Sequence, residues 1–144
     1  MTSKGSGSGA TPPERTAHPY YMYENIHIMP QMLAACLEEE AVAQLRGIAE
    51  TMRGRGVQRL FLVGCGTSMN IARAVATAME QRAGLPARAL DSLEFTLYPP
   101  PDVDGEAAVI AISHSGNSIV TVQAAQWARQ RGAFVVCMVG SAQG

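Results

Sequence analysis

The chain has 144 residues, is 47% hydrophobic and carries a formal net charge of -1, enough for one compact core and too little for two of ordinary size. No basic block is present that could displace nucleic-acid counterions, and no apolar run approaches the ~18 residues of a membrane span, so neither nucleic acid nor membrane is an expected partner. Without a charged-then-apolar leader pattern, a cytoplasmic location is expected. Cys36, Cys65 and Cys137 lack Cys-x-x-Cys or metal-ligand spacing and read as reduced core thiols; no metal or cofactor is expected.

Taken in chain order, residues 1–19 are rich in Gly, Ser, Thr and Pro and read as a flexible tail. Order is expected from Tyr20, and a domain over 20–144. Helical spacing follows Pro30, with Met32, Leu33, Cys36 and Leu37 on one side. A second helix is expected from about Glu38 to Met52, acidic in its first turn and stopped by Gly54 and Gly56. "RLFLVG" then reads as a short buried strand, and "SMNIARAVATAMEQRAG" as a helix closed by Gly84. A second strand lies within "PARALDSLEF" and a third is "AAVIAIS". "SIVTVQAAQWARQRG" follows as a helix closed by Gly132, and "AFVVCMVG" is a fourth strand. Continuous apolar strands separated by helices predict a parallel sheet covered on both faces, a three-layer αβα, flavodoxin-like arrangement. The chain stops just after the fourth strand and reads as a fragment truncated there; its uncovered apolar edge predicts pairing with a second copy, or aggregation.

Two loops stand where open parallel sheets bind ligands, outside the carboxyl ends of strands. The first is "GCGTS", Gly64–Ser68; the second is "SHSGNS", Ser113–Ser118. Both turn directly into helices, offering unpaired N–H groups and the positive end of a helix dipole. Hydroxyls of Thr67, Ser68, Ser113, Ser115 and Ser118 add donors, and Gly66 and Gly116 are expected to let the backbone approach an anion closely. Neither nucleotide motif is satisfied. Met69 stands where a dinucleotide fingerprint needs Gly or Ala, and Thr67 where a P-loop needs Lys. Either loop alone reads as ordinary helix capping; both together, at neighbouring strand ends, read as a cradle for a phosphate monoester held without a metal.

At these residues the sequence resembles the sugar isomerase (SIS) domain family, in particular the isomerase region of the glucosamine-6-phosphate synthases. "MYENIHIMPQML", "LVGCGTSMNIA", "SLEF" and "AISHSGNSIVT" carry the resemblance, in that order, over Tyr23 to Gly144. It implies that Gly66, Thr67 and Ser68 in the first loop, and Ser113, His114, Ser115, Gly116, Asn117 and Ser118 in the second, surround a substrate phosphate. His114 stands where glutamine is common, and Ser118 where threonine is common. The implied ligand is a phosphorylated sugar such as fructose 6-phosphate or glucosamine 6-phosphate, and the implied assembly a homodimer. The implied chemistry is ketose/aldose (amino)sugar-phosphate isomerisation, or aminotransfer or deamination, by proton transfer between carbons beside a carbonyl. The catalytic groups of that chemistry are expected beyond this chain, and no glutaminase portion is expected within it. The alternative is a non-catalytic sugar-phosphate sensor. Glu94 and His27 read as structural or surface groups, and Cys65 as a packing residue.

Overall fold

The computed structural model describes residues 13–140. Two compact units divide the chain, Met1–Thr51 and Met52–Gly144. Of the expected tail, residues 1–12 lie outside the described residues. Within Pro13–Pro19, Arg15 pairs with Glu24 at 2.8 Å, and the Tyr21 hydroxyl donates to the Pro13 carbonyl at 2.9 Å.

The first unit is helical. α1 spans Tyr21–Ala35, so it begins well before Pro30 instead of after it. Proline lacks only an N–H and fixes a helical φ, and here the helix continues through it, although an interior proline ordinarily costs a helix ~3 kcal/mol. α2, Glu39–Gly54, crosses the unit boundary. It opens on Glu39 and Glu40, which complement the dipole, and ends where expected, with Gly56 at φ +67 just beyond.

The second unit holds a parallel sheet of β1 (Arg59–Gly64), β2 (Ala87–Asp91), β3 (Ala107–Ser113) and β4 (Phe134–Val139), in the order β2-β1-β3-β4. The connecting helices are α3 (Thr67–Ala83), the short α4 (Ser92–Leu97) and α5 (Ile119–Gln130). α4 takes the "SLEF" end of the segment read as containing a strand. Asp91 switches the chain there, because its carboxylate accepts the Leu93 N–H at 2.9 Å as an N-cap.

The absence of polar alternation in "RLFLVG" has a direct structural reading, since successive strand residues point to opposite faces. Leu60 and Leu62 pack with Met69, Ala72 and Ala76 of α3, whereas Phe61 and Val63 pack with Phe95 of α4 and Ala124 and Ala128 of α5. β3 divides in the same way, Ala108 and Ile112 to one face and Val109 and Ala111 to the other. Both faces are therefore covered, in three layers. Phe95 is fully buried in edge-to-face contact with Phe61 and Trp127, at 6.3 and 5.7 Å between ring centroids. Burying a phenylalanine of this kind contributes roughly 1.5–3 kcal/mol. α3 ends at Gly84, φ +62, a left-handed position that suits glycine.

The thiols depart from expectation. All three are free, but Cys36 and Cys137 are exposed and Cys65 is half-buried. Cys137 lies on β4, whose second half is exposed, and Cys65 follows a strand end. Among the described residues no helix is long and apolar enough to cross a membrane.

Candidate functional site

Register brings the two glycine-and-hydroxyl loops together. β1 lies between β2 and β3, and Gly64 is paired with Asp91 on one side and Ile112 on the other. The chain leaves β1 for α3 on one face and leaves β3 for α5 on the opposite face. That divergence is a switch point, and it opens a crevice at the carboxyl ends of the strands.

The crevice is a cleft of about 330 Å³. Cys65, Thr67 and Ser68 line it from the first loop, Ser113, His114, Ser115 and Ser118 from the second, together with Ile112 and Thr121. Gly66, Gly116 and Asn117 shape the loops around it. Gly66 is the N-cap of α3 with φ +54, and Gly116 has φ +75. The Asn117 N–H donates to Ser115 Oγ at 3.2 Å, and the Gly116 N–H to Ser113 Oγ at 3.1 Å. A hydroxyl that accepts in this way still has its own proton to give.

Within the fold itself, close packing is required at Gly64. A Cβ on Gly66 would meet nothing within 4 Å, so that residue is needed for its backbone conformation. A Cβ on Gly64 would stand 2.9 Å from the Cβ of Ser68 and 3.2 Å from the Ile112 carbonyl oxygen. Gly64 thus lets the first turn of α3 sit directly on the strand end, where Ser68 faces the cleft. On the far side, the Gly140 N–H donates to the His114 carbonyl at 3.1 Å, and a Cβ there would meet His114 Nδ1 at 3.1 Å. The end of β4 fixes where His114 stands.

Helix capping does not account for the Ser118 hydroxyl. Ser118 is the N-cap of α5, yet its side chain makes no cap hydrogen bond. It accepts instead from Thr121 Oγ1 at 3.0 Å. Thr121 is in turn 2.9 Å from Ser92 Oγ and 3.9 Å from Cys65 Sγ. Ser92 and Thr121 are buried polar residues that sequence reasoning missed. The one available signal was a second hydroxyl three residues after Ser118, one turn along the helix.

A larger groove of about 550 Å³ flanks α5 and β4, lined by Val122, Ala125, Phe134, Val135 and others, with Arg55 and Arg129. It is mostly apolar and has no convergent hydroxyls, so size does not identify the site; the smaller cleft holds the polar chemistry. Glu94 lies in the first turn of α4 and does not line the cleft. His27 is exposed in the first unit, with Nδ1 2.8 Å from the Tyr23 carbonyl.

Comparison with known proteins agrees with the architecture. A family model described as the SIS domain matches residues 55–144. Glutamine–fructose-6-phosphate aminotransferase (isomerizing) from Aeropyrum pernix is 31% identical over 135 residues, covering 89% of this chain and 21% of its own. The same-named protein from Thermus thermophilus is 31% identical over 125 residues, 83% of this chain and 20% of its own. The chain thus spans about a fifth of the length of these relatives. A candidate phosphosugar isomerase from Silicibacter pomeroyi superposes with a TM-score of 0.72 at 25% identity, over 84% of this chain and 37% of that one. With its four-stranded parallel sheet, its paired strand-end loops and the match over 55–144, this chain belongs to the SIS domain family.

Proposed function

We propose that the cleft between α3 and α5 holds the phosphate of a phosphorylated sugar such as fructose 6-phosphate or glucosamine 6-phosphate. In this reading the chain is the phosphate-gripping part of an isomerase- or aminotransferase-type phosphosugar protein. The observation that carries it is convergence: two helix starts and the residues Thr67, Ser68, Ser113, Ser115 and Ser118 line one cleft at a switch point. A helix start offers unpaired N–H groups and a partial positive charge, which suit an anion. Hydroxyl donors add directional hydrogen bonds to phosphate oxygens, each charge-assisted. The relatives named as fructose-6-phosphate aminotransferases and the neighbour named for phosphosugars support the same ligand class.

Holding the phosphate places a remote, unreactive end of the sugar, and that binding energy positions the end that reacts. Gripping and conversion are separable roles, and this cleft supplies the first.

A thermal melt with fructose 6-phosphate, glucosamine 6-phosphate, free fructose and inorganic phosphate tests the reading. At ~100 times its dissociation constant, a ligand specific to the folded state adds ~2.7 kcal/mol. Stabilisation by the sugar phosphates beyond inorganic phosphate is expected, and Ser115→Ala should diminish it. No shift with either sugar phosphate would overturn the proposal.

A further inference from the structure

We infer that Thr121 and Ser92, neither of them a member of the two loops, are positioning residues that aim the Ser118 hydroxyl proton into the cleft. The inference rests on the phosphate-binding reading and adds to it a directed chain of buried hydroxyls.

Proton bookkeeping sets the direction. A threonine hydroxyl has one proton to give and two lone pairs to receive with. Thr121 gives its proton to Ser118 Oγ at 3.0 Å. Its contact with Ser92 Oγ at 2.9 Å is then a hydrogen bond only if Ser92 donates, and its longer contact with Cys65 Sγ only if the thiol donates. Ser92 is fully buried and Thr121 is 3% exposed, so water does not offer either an easy alternative. Ser118 Oγ, having accepted, keeps its own proton for another partner. Ser118 lines the cleft, so a ligand oxygen there is the natural acceptor.

The chain therefore runs from Ser92 through Thr121 to Ser118 and ends at the cleft. Each donated bond polarises the next hydroxyl, which strengthens the final donor towards an anion. It also joins two helix starts, since Ser92 opens α4 while Ser118 is the N-cap of α5 and Thr121 lies in its first turn. The packing of α4 thereby reaches the ligand without α4 touching it.

Titration of the full chain with fructose 6-phosphate, paired with urea denaturation, tests this. Thr121→Val leaves the Ser92 proton without an acceptor and should both destabilise the fold and weaken binding about fivefold, the worth of one ordinary hydrogen bond. Thr121→Ser restores the hydroxyl and should restore affinity. The double variant S92A/T121V removes both partners, so stability should recover while binding stays about fivefold weak. Adding T121V to Ser118→Ala should weaken binding no further than S118A alone, because Thr121 acts through Ser118. Wild-type affinity in S92A/T121V, with Ser115→Ala still weak, would overturn the hydroxyl chain and leave the phosphate site standing. A wild-type chain that does not bind fructose 6-phosphate would overturn both.

Discussion

Replacing Gly64 by alanine puts a single methyl where the strand end and the helix start meet. The added Cβ would stand 2.9 Å from Ser68 Cβ, 3.0 Å from the Ser68 carbonyl carbon and 3.2 Å from the Ile112 carbonyl oxygen, whereas ordinary contacts begin at 3.4 Å. The first turn of α3 must therefore withdraw by about 0.5 Å, the difference between the first and last of these distances. Two of the three obstructing atoms belong to backbone, which no rotamer change relieves. Overpacking of this sort costs ~1–3 kcal/mol. Ser68 moves with the turn, so a phosphate held from both loops should lose affinity along with the lost stability. Urea denaturation and calorimetric titration with fructose 6-phosphate read the two effects. Gly66→Ala is the comparison: it meets open space but forces a side chain to φ +54 and ψ -122, a strain of roughly 1–3 kcal/mol. A Gly64→Ala protein with the wild-type urea midpoint and affinity would refute the claim that this close approach places the helix start.

Phe95→Ala should cost ~3–5 kcal/mol, as a large core truncation does. Because Phe95 abuts Trp127, the sole tryptophan, intrinsic fluorescence of the folded state should shift as well. The Asp104 carboxyl is held below its ordinary range, first by the Glu106 N–H at 2.9 Å and further by the Arg59 guanidinium. A lowered pKa means that its contribution is present above the usual carboxylate range and is lost as pH falls through the lowered value. Acid titration of stability should therefore show a shallower low-pH limb in Asp104→Asn than in the wild type. Gly140→Ala would bring a Cβ to 2.8 Å from the His114 carbonyl oxygen. It should displace the second loop and weaken fructose 6-phosphate binding while leaving the β1–β3 core intact, as hydrogen exchange would report.

The sheet was legible because buried parallel strands write themselves as unbroken apolar runs, and "RLFLVG" and "AAVIAIS" are such runs. The loops were legible because their hydroxyls and glycines cluster in sequence. Other features were hidden for physical reasons. Pro30 sits inside α1, against the local rule that proline breaks helices, since propensity is a weak prior. α4 was masked by its brevity, although Asp91 carried a capping signal. Gly64 and Gly66 look alike in a string; only the packed helix distinguishes a glycine needed for space from one needed for its φ. The Ser92–Thr121 bond spans 29 residues and has no period to announce it. Cys36 and Cys137 were misplaced because thiols are usually buried, a tendency of the residue type that says nothing about a particular position.

The pairing of β1 with β3 has a kinetic meaning. Gly64 and Ile112 are partners although the whole of α3, β2 and α4 lies between them in the chain. Closing so long a stretch is entropically slow, and non-local pairings of this kind set folding rates. Neither half of the cleft has its counterpart until that pairing is complete. A ligand that bridges Ser68 and Ser115 would meet its site only late in folding and would then act as a clasp on the two central strands. Its grip should slow unfolding far more than it speeds folding, lengthening the lifetime of the native sheet.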